Sequence, residues 1–467
     1  TVTQLYAQAV DQLAPLDRVV RQLGLRGKLK VDEDPYLVGV LARGWAGKPQ
    51  TWIERGVTDE NFNFISEPLN AILNDVENMD DFRAYLVAKR AKELLSRRSE
   101  KGEPLFTVET TLGPGITEAE IDAVIAEFEP KYGQIQQRLV RFQNYLVDEL
   151  VKSGVLSQEG AEAMKRMNQH YVPFYRLVDE NLGTFRFAGA KKFADVGQPI
   201  KRIKGSGRTI IDPIESVVKN TYMLLNVATR NKVGRTFIEF VEKHGLEGQL
   251  AEKVSTPTRP VNFQLGQIRD VLEEIGVEVN PGDLEKIATI FTPTGRPRSG
   301  QNELTIMRDG KREYWQVDPE IYRALLFLDD EATATWVKIL GTPARLLRAG
   351  AVLSPEFLGS NPVRDQWTAF VNSEYGYVPF FDFAKGVFDA VGQTDLYYKF
   401  LASGGAQASL VSLDRKTLQE QVNGYLEELK AKRGAGIERL GYIIKKTANP
   451  IDVLRALSEV SELGTRL

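Results

Sequence analysis

Between Thr117 and Leu150 the apolar residues fall in steps of three and four: Ile121, Ile125, Phe128, Tyr132, Ile135, Leu139, Phe142, Leu146 and Leu150. A stripe sustained this long fits a long helix laid against partner helices, and it rules out a fold made chiefly of short strands. Thr117 and Glu120 form a capping-box pattern at its start, in which each side chain satisfies the other residue's free backbone N–H. Pro130 removes one helix donor, so a kink or a division is expected there.

Other segments repeat the pattern. Residues 1–50 read as two helices around Pro15 and Pro35, with Gly24 and Gly27 as breakers between them. From Pro68 to Arg98 the apolar positions again follow helical spacing, with acids early and bases late. Asp212-Pro213 with Glu215 opens a further helix, expected to run to Gly245. Between Thr256 and Phe327 the texture changes: helices are expected around Gln264–Gly276 and after Gly282, then a Pro, Gly and Arg-rich loop from Thr292 to Gly300. Asp309-Gly310 stands between β-forming runs and predicts a hairpin with a type I′ turn. Helical pattern returns from Pro319 onward, broken at Gly404-Gly405, Gly434–Gly436 and Asn449-Pro450.

The expected fold is therefore mainly α: an elongated multi-helix assembly with a small α+β insert containing a β-hairpin. At 467 residues roughly two to four units are expected. The divisions read as 1–110 (N-terminal helical region), 111–250 (long-helix region with a basic loop), 251–327 (the α+β insert) and 328–467 (C-terminal helical region).

Composition narrows the chemistry. With no cysteine, disulfides, thiolate catalysis and Cys-ligated metal sites are excluded. His170 and His244 are the two histidines, too few for a three-His metal site. The net charge of −3 gives no global field toward nucleic acid, so any such contact must be local. No P-loop, nucleophile elbow or dinucleotide fingerprint is present, and no cofactor is expected. His170 reads as a partly buried, hydrogen-bonded histidine in preference to a catalytic base. A signal peptide and a conventional membrane span are not seen. The missing initial Met and the end within a helical pattern lead us to expect a piece of a longer polypeptide.

Three stretches carry candidate function. Lys191 to Arg235 has the strongest local charge bias, and its KRIKGSGR part offers Lys201, Arg202, Lys204 and Arg208 as phosphate-backbone contacts, against the plainer reading of a solvated loop. The polar knot Ser360–Asp365 offers Asn361, Arg364 and Asp365 as a partner motif. Capping alone accounts for it and is the favoured reading: Asn361 before Pro362 starts a helix and the two charges tie the corner. The aromatic run Phe370 to Val391 suits a membrane-interface or partner-helix surface, though such runs are more often core.

Several ordered stretches carry a resemblance: Asp80–Arg90 with its Tyr-Leu-Val-Ala-Lys-Arg ending, Tyr171–Arg176, Thr209–Ser216, Asp309–Trp315, Leu353–Phe357 and Asn361–Asp365. Together they resemble the large polyvalent-protein-associated domain (type 38) of very long phage and prophage proteins. Leu358-Gly359-Ser360 departs from the family, where a bulkier run is expected. The resemblance implies a phage-derived, non-enzymatic segment, carried in the virion and delivered into the host cell with the genome, oligomeric or within a larger assembly, with other virion or phage proteins as partners. From the residues themselves, phage DNA would be touched through the basic loop, and membrane contact, through the aromatic run, is the weakest of the associations. The alternative is a DNA-binding protein that protects phage DNA or counters host defence in the cytoplasm. An enzyme of unrecognised type comes third.

Overall fold

The computed structural model describes residues 11–99, 102–112, 116–170, 213–256, 258–264, 287–293, 301–326, 370 and 378–405, the two segments 258–264 and 287–293 by backbone alone. These residues form a mainly α fold with small antiparallel sheets.

Helices α1 (Ala14–Gln22) and α2 (Pro35–Ala42) begin at the two prolines, and Gly24 and Gly27 between them take φ of +66° and +73°. The Asp34 carboxylate caps α2 by accepting the N–H groups of Tyr36 and Leu37. Next come α3 (Gly47–Glu54) and a short pair of strands, β1 (Val57–Thr58) and β2 (Phe64–Ser66). The stretch read as one helix from Pro68 is two, α4 (Leu69–Asn74) and α5 (Met79–Leu95). The Asn78 side chain accepts from the N–H groups of Asp80 and Asp81, and this cap starts a new helix at a point where apolar spacing alone suggests continuation.

After a single turn, α6 (Val108–Thr111), comes α7 (Glu118–Lys152), 35 residues long. Its capping box is complete: Thr117 N–H donates to Glu120 at 2.8 Å and Glu120 N–H to Thr117 Oγ1 at 3.3 Å. Pro130 lies inside α7 without dividing it. Both Pro130 and Ala126, whose carbonyl loses its helical donor, are exposed, so water can serve the freed carbonyl. Then follow α8 (Gln158–Met167) and α9 (Pro213–Lys243), the latter ending before Gly245 at φ +64°.

The β elements are β3 (Ala251–Val254), β4 (Thr258–Gln264), β5 (Ile287–Pro293), β6 (Glu303–Arg308) and β7 (Lys311–Val317). One sheet has the order β3-β7-β6, and β4 pairs with β5 over Thr258↔Pro293 to Gln264↔Ile287. The predicted hairpin is present, with Asp309 at φ +48° and Gly310 at +74°, as a type I′ turn requires. Residues 287–293 are strand where helix is expected after Gly282; their Ile, Thr and Phe content favours the extended chain. The remaining helices are α10 (Pro319–Leu326), α11 (Phe381–Gly392) and α12 (Asp395–Ala402).

Helix α9 runs through two cores. Its first half, with Ile214, Val217, Val218 and Leu225, packs among Trp52, Leu69, Phe82, Tyr132 and Phe142. Its second half, with Val233, Phe237 and Val241, packs among Leu16, Leu304, Ile306, Trp315 and Ile321. A helix buried nearly all round needs partners on every side, and α9 has α2, α3, α5, α7 and β6. Between the two halves stands Asn231, fully buried. Its amide donates to Ser153 O at 2.8 Å and Met307 O at 2.7 Å and accepts Met307 N–H at 2.7 Å, satisfying the edge of β6.

Helix α12 lies on α3 with backbone nearly touching backbone: a Cβ on Gly44 would stand 2.2 Å from Gly404 O, and one on Gly47 2.2 Å from Leu401 O. Thr51 Oγ1 donates to Tyr398 O at 3.1 Å, Tyr398 O–H to Glu54 at 2.9 Å and Arg55 Nε to Asp395 at 2.6 Å.

A part-buried ion pair joins α3 to α7. Lys48 Nζ sits 2.5 Å from Glu149 Oε2, and Lys152 Nζ 3.2 Å from Glu149 Oε1. Burial pushes the Glu149 carboxyl up, but the two lysines more than offset it and hold the group below its ordinary value of 4.5. A carboxyl depressed in the folded state contributes stability that is present above its unfolded value and lost as pH falls through the folded one. Glu149→Gln is therefore expected to destabilise the protein at about pH 7, with the effect shrinking progressively as pH falls below the ordinary value of 4.5, measured by urea midpoints at each pH.

Candidate functional site

A dense group of polar side chains lies where α5 meets α7 and the end of α8. One helical turn of α5 supplies Tyr85 and Lys89, and both reach one carboxylate. Tyr85 O–H donates to Glu129 Oε2 at 2.9 Å and Lys89 Nζ to the same oxygen at 2.8 Å. Gln136, further along α7, has its Oε1 3.4 Å from the Tyr85 hydroxyl, at the outer limit of a hydrogen bond. Tyr85 is fully buried, and burial followed by the Glu129 bond drives its phenol well above its ordinary value. Glu129 is held below the usual carboxylate range, first by Lys89. The phenol stays protonated and the acid stays ionised, so the group is a charge-assisted clasp in which neither member is poised to exchange a proton near neutral pH.

A second knot adjoins it. Arg90, 0% exposed, pairs with Glu93 and donates from Nη2 to Asn168 Oδ1 at 2.9 Å. Arg97 donates to the same Asn168 oxygen at 2.9 Å and to Met167 O at 2.8 Å. Burial, then the neighbouring Arg90 charge, lowers the basicity of Arg97. Asn168 closes α8 and returns its own Nδ2 to Met164 O at 2.7 Å. Two guanidiniums thus sit at the carbonyl end of α8, where positive charge is favoured by the helix dipole. His170 is half-buried and tied through its backbone N–H to Glu93 at 3.3 Å. Burial, then Lys89, pushes its imidazole below 6.5, so the ring is neutral at neutral pH.

Lys201, Arg202, Lys204 and Arg208, together with Asn361, Arg364 and Asp365, lie outside the described residues, as do Tyr171–Arg176 and Leu353–Phe357. Of the basic segment that runs to Arg235, Lys219 pairs with Glu215 at 2.5 Å and Arg235 with Glu239 at 3.0 Å. Nothing in the sequence points to the clasp at Glu129. Tyr85, Lys89 and Arg90 belong to one of the stretches that carry the family resemblance, but a Lys-Arg pair late in a helix looks like a solvated face until α7 and α8 are laid over it. The aromatic run is not core in its described part: Phe370, Phe380, Phe381, Phe388 and Val391 are exposed.

Among the described residues no three His, Asp or Glu side chains gather in a set able to hold a metal ion, and no helix is long and apolar enough to cross a membrane. No family model, curated protein or solved structure matches this chain.

Proposed function

We propose that this chain is a non-enzymatic structural or scaffolding segment of a phage internal virion or polyvalent protein, delivered into the host cell with the genome. What supports the reading is the role of Tyr85–Arg90, within one of the stretches that resemble the polyvalent-protein domain. Leu86 and Ala88 are buried in the packing, while Tyr85, Lys89 and Arg90 fasten α5 to α7 and α8. This part of the resemblance serves helix packing. A laterally fastened helical body is what a scaffolding role asks of its parts. Mass spectrometry of purified particles of the parent phage tests it. Peptides of this chain in full particles, and their loss from particles triggered to release DNA, are the expected result. Absence from both would replace this reading with that of a protein made after infection, acting on DNA or on host defence in the cytoplasm.

In this role the basic loop is the contact to packaged DNA. Replacing Lys201, Arg202, Lys204 and Arg208 together by alanine is expected to flatten the dependence of log K on log salt by about 0.9 for each phosphate that the side chains no longer neutralise. An unchanged slope in a filter-binding or anisotropy titration with non-specific duplex would remove the DNA contact and leave the scaffold reading in place.

A further inference from the structure

Helix α11 is built inside out. It turns Gly386, Asp389 and Ala390 toward the protein and presents Phe381, Phe388 and Val391 to solvent at 71%, 70% and 65% exposure. Ala384, also exposed, completes the stripe, since positions 381, 384, 388 and 391 follow each other by three and four and lie on one face. Val378, just ahead of the helix, is 54% exposed. The largest apolar patch on a monomer usually covers roughly 300–600 Å² and is often functional, and these side chains together make one of that order. A stable interface takes roughly 800 Å² from each partner, so the stripe is large enough to form the apolar centre of one, with a polar rim supplying the rest.

We propose that this face binds a second copy of the same chain, α11 against α11, antiparallel about a two-fold axis. The spacing is self-complementary. Phe381 and Phe388 lie equally far on either side of the midpoint between Ala384 and Lys385. An axis through that midpoint sets Phe381 of each copy against Phe388 of the other, twice, as an isologous contact demands. Ala384, the smallest side chain of the stripe, falls at the crossing and lets the two helices approach. Lys385 is exposed and flanks the stripe at the crossing, where its long stem can turn the charge out to solvent. A bilayer is a poorer occupant: helices that lie in a lipid interface carry Lys and Arg around their apolar face, whereas α11 carries Asp382 and Asp389 against Lys385 alone.

This goes beyond the scaffold role by naming a partner, and it stands on helix geometry. A monomer found in solution would leave the particle experiment untouched, and loss of the particle reading would leave the dimer. The test uses the full chain. Sedimentation equilibrium is expected to show a concentration-dependent dimer, weakened roughly tenfold or more by Phe388→Ser, with the circular-dichroism melt unchanged because the side chain faces solvent. The absence of cysteine allows a second readout that does not depend on affinity. On mild oxidation Ala384→Cys, near the axis, is expected to form a disulfide-linked dimer, whereas Val391→Cys, about 20 Å from its copy along an antiparallel pair, is not. A monomer at every concentration, equal cross-linking of both variants, or a monomer that co-sediments with phosphatidylcholine–phosphatidylglycerol vesicles would each overturn the proposal.

Discussion

Asn231→Leu is expected to lower the unfolding free energy by about 3 kcal/mol or more, read as a fall in the urea midpoint at constant slope. Leucine fills nearly the same volume, so cavity formation contributes little. The loss lies in three backbone groups, Ser153 O, Met307 O and Met307 N–H, whose bonds to the Asn231 amide disappear inside the protein. A buried polar group left unmade costs about 1–3 kcal/mol, and the carbonyls and amide of a sheet edge have no water to turn to here. Asn231→Asp is expected to fare worse, because it keeps the acceptor, loses both donors and buries a charge. Lys232→Leu, on the exposed neighbour, is the control and should stay within about 0.5 kcal/mol.

The second large effect belongs to glycine. Gly44→Ala would place a Cβ 2.2 Å from the Gly404 oxygen and 2.6 Å from its Cα, so backbone must move and no rotamer can relieve it. Gly47→Ala meets Leu401 O at the same 2.2 Å, and Gly404, at φ +82°, faces Leu41 O at 2.2 Å from the other side. Three glycines thus permit one approach, that of α12 to the turn between α2 and α3. Either alanine variant is expected to release α12 and to break the bonds that join Tyr398 to Thr51 and Glu54. Limited proteolysis should then cut within residues 395–405 at least roughly ten times faster, while α9 stays protected, as local opening of a separately docked element predicts. Equal cutting in the parent protein would mean that α12 is not held by this contact.

Local chemistry is legible in the sequence and long-range chemistry is not. The Thr117–Glu120 box, the Asp309-Gly310 turn and the stop at Gly245 are each set by residues within a few positions of one another, and each is found where the sequence places it. The Asn78 cap is hidden because, inside an apolar periodicity, it shows only as one more polar residue. Of the kink or division expected at Pro130, the division does not occur, since a single lost donor on an exposed face leaves the helix continuous. At the Glu129 clasp the partners are 40 and 44 residues apart, and nothing local to Tyr85 or Lys89 says which acid they will meet. The outward turn of α11 is likewise invisible in its sequence, because an aromatic stripe reads the same whether its cover is its own core or another molecule. The candidate residues that charge and polarity single out, from Lys201 to Arg208 and from Asn361 to Asp365, lie outside the described residues.

The position of α9 also bears on the order in which the protein can be made. The first core takes residues from Ala46 to Val155 but is closed by Ile214 to Ala228, and the second joins Leu13, Leu16 and Val38 to Leu325. A chain growing on the ribosome therefore displays the apolar faces of α3, α5 and α7 for at least the time needed to add roughly the next 60 residues, a few seconds at about 5–20 residues per second. The N-terminal helices wait longer still for β6, β7 and α10. Such contacts between distant positions slow folding and leave sticky surfaces open meanwhile. Until α9 has emerged, the segments on either side of it have no common element to close on.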